Sequence, residues 1–120
     1  MSHGESEREA GEFWTRERCY IREQVNEPDI AAFSLAMARV EPGVTTELHR
    51  LSVDEWYVIV DGAGEMEVDG RKRAVGPGDV VAIPAGTPQR IRNAGDIDLR
   101  FQCVCLPRFS PDAYEALEQA

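Results

Sequence analysis

Apolar and polar positions alternate in short runs along most of this chain, and turn residues punctuate the runs at nearly even intervals. Residues 18–25, 33–40, 44–51, 55–60, 65–68, 72–75, 80–83, 89–93 and 99–106 each read as a strand, by period-two alternation or by β-branched and aromatic content. Pro42-Gly43, Asp61-Gly62, Asp69-Gly70, Pro77-Gly78, Pro84-Ala85-Gly86 and Asn93-Ala94-Gly95 separate them. Asp69-Gly70 has the chemistry of a type I′ hairpin, whose two central residues both need positive φ. Many short strands at this spacing predict an all-β sandwich or barrel. At the C-terminus Ser110, Pro111 and Asp112 before AYEALEQA predict a short helix with an N-cap, a proline in its first turn and an acid at the positive end of its dipole. Residues 1–12 show no apolar periodicity and read as a disordered acidic tail, which leaves 13–120 as a single domain.

The run from residue 47 to residue 62 carries the most chemistry. A loop over Ser52, Val53 and Asp54 makes residues 47–60 a hairpin with Leu51 opposite Glu55 and His49 opposite Tyr57. Period two adds Glu47 and Ile59 to that inward face and turns Trp56, Val58 and Val60 outward. His49 and Glu55 become diagonal neighbours, about 7 to 8 Å apart at the backbone and within reach of one shared ion or ligand. A lone inward histidine is ordinarily a hydrogen-bonded core residue. An inward carboxylate is harder to account for, because it must be paired, protonated or bound.

Charge and thiols narrow the partners. The 120 residues carry 13 basic and 22 acidic side chains, a formal charge of −9, which disfavours nucleic acid and anionic membrane surfaces. No apolar run approaches the ~20 residues of a spanning helix, and the acidic N-terminus lacks the basic-then-apolar order of a secretory signal, so a cytoplasmic location is expected. Cys19, Cys103 and Cys105 read as reduced core thiols. Two residues apart on a strand, Cys103 and Cys105 stand about 6.6 Å apart with parallel side chains, a poor geometry for a bond and a weak start for a soft metal site.

The spacing of glycines, proline and asparagine around these residues resembles the cupins, a family of small double-stranded β-helix barrels of jelly-roll type. Gly43, His49, Glu55 and Gly62 stand where the first cupin motif has its glycine, first histidine, glutamate and closing glycine, with Leu51 in place of the second histidine. Gly78, Pro84, Gly86 and Asn93 match the second motif, with Gln89 in place of its histidine. The two motifs span residues 43–93. In metal-dependent members three histidines and a glutamate hold the ion. The resemblance therefore implies a metal set of His49, Glu55 and Gln89, and the loss of two imidazoles implies a weak, exchangeable hold on a divalent ion such as Mn, Fe, Ni or Zn.

Two functions remain. One is a metal-dependent enzyme with open coordination positions for a small oxygen-rich substrate. The other is an ion-free module whose barrel mouth binds a small polar molecule, a sugar or small acid, through His49, Glu55, Gln89 and Tyr57, with Ile59 and Glu47 also on the ligand-facing side. The outward set Trp56, Val58 and Val60, together with the strand near Cys19 to Val25, predicts a homodimer.

Overall fold

The computed structural model describes residues 8–118. Its strands are β1 (Phe13–Trp14), β2 (Tyr20–Val25), β3 (Ser34–Val40), β4 (His49–Leu51), β5 (Asp54–Asp61), β6 (Gly64–Val68), β7 (Arg71–Val75), β8 (Val80–Ile83), β9 (Gln89–Asn93), β10 (Leu99–Leu106) and β11 (Tyr114–Ala116). They form two antiparallel sheets, one in the order β1-β2-β3-β10-β5-β8 and the other β11-β4-β9-β6-β7. Among the described residues no helix is long and apolar enough to cross a membrane.

Alternation decides which side chains meet between the sheets. Tyr57 and Ile59 of β5, Leu99 and Phe101 of β10, Met66 of β6 and Ile91 of β9 all point inward and are at most 3% exposed. Asp69 and Gly70 both have positive φ, 52° and 78°, as the hairpin between β6 and β7 requires. Gly62 answers a different demand. A Cβ there would stand 2.7 Å from the Asp98 carbonyl oxygen and 2.9 Å from Leu99 Cα, so only glycine lets the end of β5 lie against the start of β10. Asn93, 1% exposed, donates from Nδ2 to the carbonyls of Val40 and Ile97 and accepts from the Gly95 amide, which ties the β9–β10 loop to the end of β3 at the closed end.

The outer face of the six-stranded sheet is covered on one side only. Arg39 crosses the Tyr20 ring at 4.1 Å and is held by Glu12 at 2.7 and 3.0 Å and by Asp98 at 3.1 Å. Residues 1–7 of the expected acidic tail lie outside the described residues, whereas Glu12, read as part of that tail, is buried in this ion-pair cluster. Across the same face Val80 pairs with Val58, and Trp56 stands between Ala82 and Val104. Val60 and Val80 are about half exposed, at 46% and 54%.

Two expectations are corrected. The C-terminal helix is a single 3-10 turn, Pro111–Ala113, followed by β11, which pairs with β4. So short a segment pays the full cost of helix nucleation for few hydrogen bonds, whereas as a strand it satisfies the open edge of β4 and places Tyr114 over His49. The hairpin over residues 47–60 is also absent: β4 and β5 belong to different sheets. Ser52-Val53 offers no residue suited to positive φ, so the link crosses between the sheets instead of turning back. The Leu51 carbonyl takes the Gly86 amide at 2.7 Å, the Ser52 amide donates to the Ala113 carbonyl, and Val53 is buried beside Leu51, Cys105 and Ala113. His49 and Glu55 therefore face each other across the sandwich.

Candidate functional site

A cavity of about 390 Å³ opens at the end of the sandwich where β1, β2, β4 and β11 leave the interior unfilled. Its floor is Ala38, Tyr57, Phe101 and Cys103, and its rim is Phe13, Arg16, Glu17, Phe109 and Tyr114. The Tyr57 and Phe101 rings pack at 4.3 Å, tilted by 32°. Apolar surface dominates the lining, with His49, Glu55 and Glu17 as a polar wall.

That wall is built by strand register. His49 of β4 is the cross-strand partner of Gln89 of β9, so both project inward from the five-stranded sheet. Glu55 projects from the opposite sheet, and Gln89 Nε2 donates to Glu55 Oε1 at 2.8 Å, a bond that joins the two sheets. Cys105 Sγ donates weakly to the other carboxylate oxygen at 3.8 Å. Burial raises the Glu55 carboxyl to about 8, against the Gln89 hydrogen bond and with help from the charge of Glu17. Glu17 is also raised, first by burial, with His49 opposing and Glu47 adding. Burial lifts the Cys103 thiol well above its ordinary value and Cys105 to about 12, so both stay protonated and poorly nucleophilic at neutral pH.

His49 is oriented from two sides. Its Nδ1 lies 2.7 Å from the Glu47 carbonyl, which can only accept, so Nδ1 carries the hydrogen. Tyr114 stacks on the imidazole at 4.7 Å and 15°. Nε2 is left facing Glu17 Oε1 at 3.9 Å, beyond hydrogen-bond length.

Of the residues singled out in the sequence, His49, Glu55 and Tyr57 line the cavity together. Gln89 stands behind Glu55 and meets it directly, while its own Oε1 is buried without a partner. Ile59 lies deeper, in the apolar core. The Glu47 side chain turns toward the rim, where it takes Arg16 at 3.0 and 3.1 Å and the Tyr114 hydroxyl at 2.6 Å. Glu17 and Phe13 were not singled out as lining residues. They come from the N-terminal end of the chain, and no local pattern in the sequence announces that this end folds over the cavity.

The donors do not complete a coordination shell. Gln89 presents its N–H, not its carbonyl oxygen, to Glu55, Leu51 supplies no ligand atom, and among the described residues no three of His, Cys, Asp and Glu are grouped to hold an ion.

The family model described as cupin domain matches residues 36–105. The chain belongs to the cupin family. An uncharacterized protein of Methanocaldococcus jannaschii is 40% identical over 86 residues, 71% of this cupin and 69% of that protein. Among solved structures, oxalate decarboxylase from Bacillus subtilis superposes with a TM-score of 0.74 at 25% identity, over 87% of this chain and 29% of that one. The polyketide cyclase RemF from Streptomyces resistomycificus superposes with a TM-score of 0.72 at 24% identity, over 94% of this cupin and 78% of that chain, a likeness of fold. This cupin thus spans less than a third of the length of the decarboxylase chain it matches.

Proposed function

We propose that this cupin binds a small organic molecule with an apolar, ring-sized body and one polar end, without help from a metal ion. The observation that carries the reading is the cavity itself, about 390 Å³, with an aromatic floor and a polar wall of His49, Glu55 and Glu17. Its volume lies within the roughly 300 to 1,000 Å³ typical of ligand pockets. Burial of the apolar body supplies the driving force, and the polar wall fixes orientation through the His49 Nε2 lone pair and the carboxyl groups. The name of the bacterial decarboxylase points to oxalate, but a small dianion suits this cavity poorly. Three carboxyl side chains border it, and the Arg16 guanidinium at its rim is already engaged by Glu47.

One observation favours a second reading, a divalent ion held loosely by His49, Glu55 and Gln89: the buried, unpartnered Gln89 Oε1 would gain a partner if the amide turned. The two readings separate in one titration. In chelator-treated protein, 2-phenylethanol is expected to produce saturable NMR shifts at Tyr57, Phe101, Cys103 and Tyr114, unaltered by added Mn²⁺ or Zn²⁺. Shifts that appear only with the metal, and vanish in His49→Ala, would establish the second reading in place of the first.

A further inference from the structure

We propose that the molecule held in this cavity is an organic cation, an amine or ammonium group carried on an apolar ring-containing body. The inference rests on the small-molecule reading above and adds the sign of the ligand's charge. Three carboxyl side chains border the cavity, Glu17, Glu23 and Glu55, against one arginine, Arg16; burial keeps Glu55 protonated at neutral pH, so Glu17 and Glu23 are the acids left to meet a cation. Arg16 does not neutralise them. It lies at the rim with 66% of its side chain exposed, and its guanidinium is spent on a two-point bond to Glu47.

The three acids differ in what already holds them. Glu23 takes a hydrogen bond from Asn26 at 2.7 Å, and Glu55 takes one from Gln89. Glu17 has only long contacts, 3.9 Å to His49 Nε2 and 3.9 Å to the Cys19 thiol, although its side chain is only 21% exposed. Facing it, His49 is 1% exposed, and with Nδ1 committed to the Glu47 carbonyl its Nε2 has no hydrogen-bond partner among the described residues. An N–H donor carrying positive charge would satisfy Nε2 and Glu17 at once, whereas a carboxylate would satisfy neither.

The rest of the lining suits the same ligand. Tyr57 and Phe101 form the floor, and Phe13, Phe109 and Tyr114 stand around the opening, so ring faces lie on several sides of the acidic wall. Aromatic faces and carboxylates attract the same sign of charge, and together they recognise ammonium groups that are partly stripped of water.

Three probes with matched bodies test this on the full, chelator-treated chain: 2-phenylethylamine, 2-phenylethanol and 3-phenylpropionate, each titrated and followed by NMR. The amine is expected to bind about tenfold or more tighter than the alcohol, and the alcohol tighter than the acid. Glu17→Gln is expected to remove most of the amine's advantage, and Glu23→Gln, at a more exposed position, a smaller part of it. Equal binding of amine and alcohol, or tightest binding of the acid, would overturn the charge assignment and leave the pocket reading standing. Absence of saturable shifts with all three would overturn both.

Discussion

The two ends of the sandwich interior are made by the same strands and differ in almost every physical property. On β5 the inward positions run from Ile59 through Tyr57 to Glu55, on β10 from Leu99 and Phe101 to Cys103 and Cys105, and on β9 from Ile91 to Gln89. At the first end Val40, Met66, Ile91 and Leu99 are fully buried with no polar atom in their side chains apart from the Met66 thioether. At the second the inward side chains are acids, an imidazole, an amide and thiols around a cavity. Alternation fixes which residues point inward and is indifferent to what they are. One end therefore carries the packing that stabilises the fold, and the other keeps the open volume and unmet polar groups that a ligand needs.

The largest effect should come from the packed end. Ile59→Ala removes a side chain that is 2% exposed within the main apolar cluster, and it is expected to cost about 2 to 5 kcal/mol through lost burial and a residual void. Cys103→Ala, beside existing open volume, should cost clearly less, because the lost atoms leave no new closed cavity. Urea denaturation of both variants measures the contrast. Equal losses would mean that the cavity end is as tightly packed as the closed end.

A second, smaller effect belongs to the open end and depends on pH. The Glu55 carboxyl titrates near 8 when folded against an ordinary value of 4.5, so the folded state holds its proton more tightly than the unfolded state does. Its contribution to stability is complete below about pH 4.5 and is lost as the pH rises from there through about 8. Glu55→Gln keeps an oxygen for the Gln89 N–H and cannot ionise. Relative to the native chain, the chelator-treated variant should gain a few kcal/mol or less between pH 5 and pH 9, with the gain growing as the pH rises. A difference that stays flat across this range would show that Glu55 is already ionised in the folded protein, which requires a bound cation and breaks the contrast between an ion-free wall and an apolar core.

The same contrast explains what the sequence disclosed. Inward and outward sets came from period two alone, so Tyr57 and Ile59 inward and Trp56 and Val58 outward were legible without any knowledge of pairing. The Asp69-Gly70 turn was legible because few residues tolerate its dihedral angles. Pairing was not legible. Proximity in sequence suggested that β4 and β5 join, whereas hydrogen bonds from Gly86 and to Ala113, both distant in sequence, hold the link between the sheets. For the same reason His49, Glu55 and Tyr57 could be named for the cavity but Glu17 and Phe13 could not, since their place depends on how the N-terminal end of the chain closes over it.

The smallest effect concerns closure at the C-terminal end. Tyr114 does two things at the rim: its ring stacks on His49, and its hydroxyl donates to Glu47 Oε1, the oxygen that also takes Arg16 Nε. Tyr114→Phe preserves the first and removes the second, leaving Glu47 still paired with Arg16, so the lost bond should cost only about 0.5 to 1.5 kcal/mol. The loss should also be local. β11 is held to β4 by three residue pairs, Tyr114 with Leu51, Glu115 with Arg50 and Ala116 with His49, and amide exchange in this strand should quicken while exchange at Ile59 stays slow. A loss as large as that of Ile59→Ala, or faster exchange throughout β5, would show that the C-terminal strand belongs to the packed core and is not a separable cover on the open end.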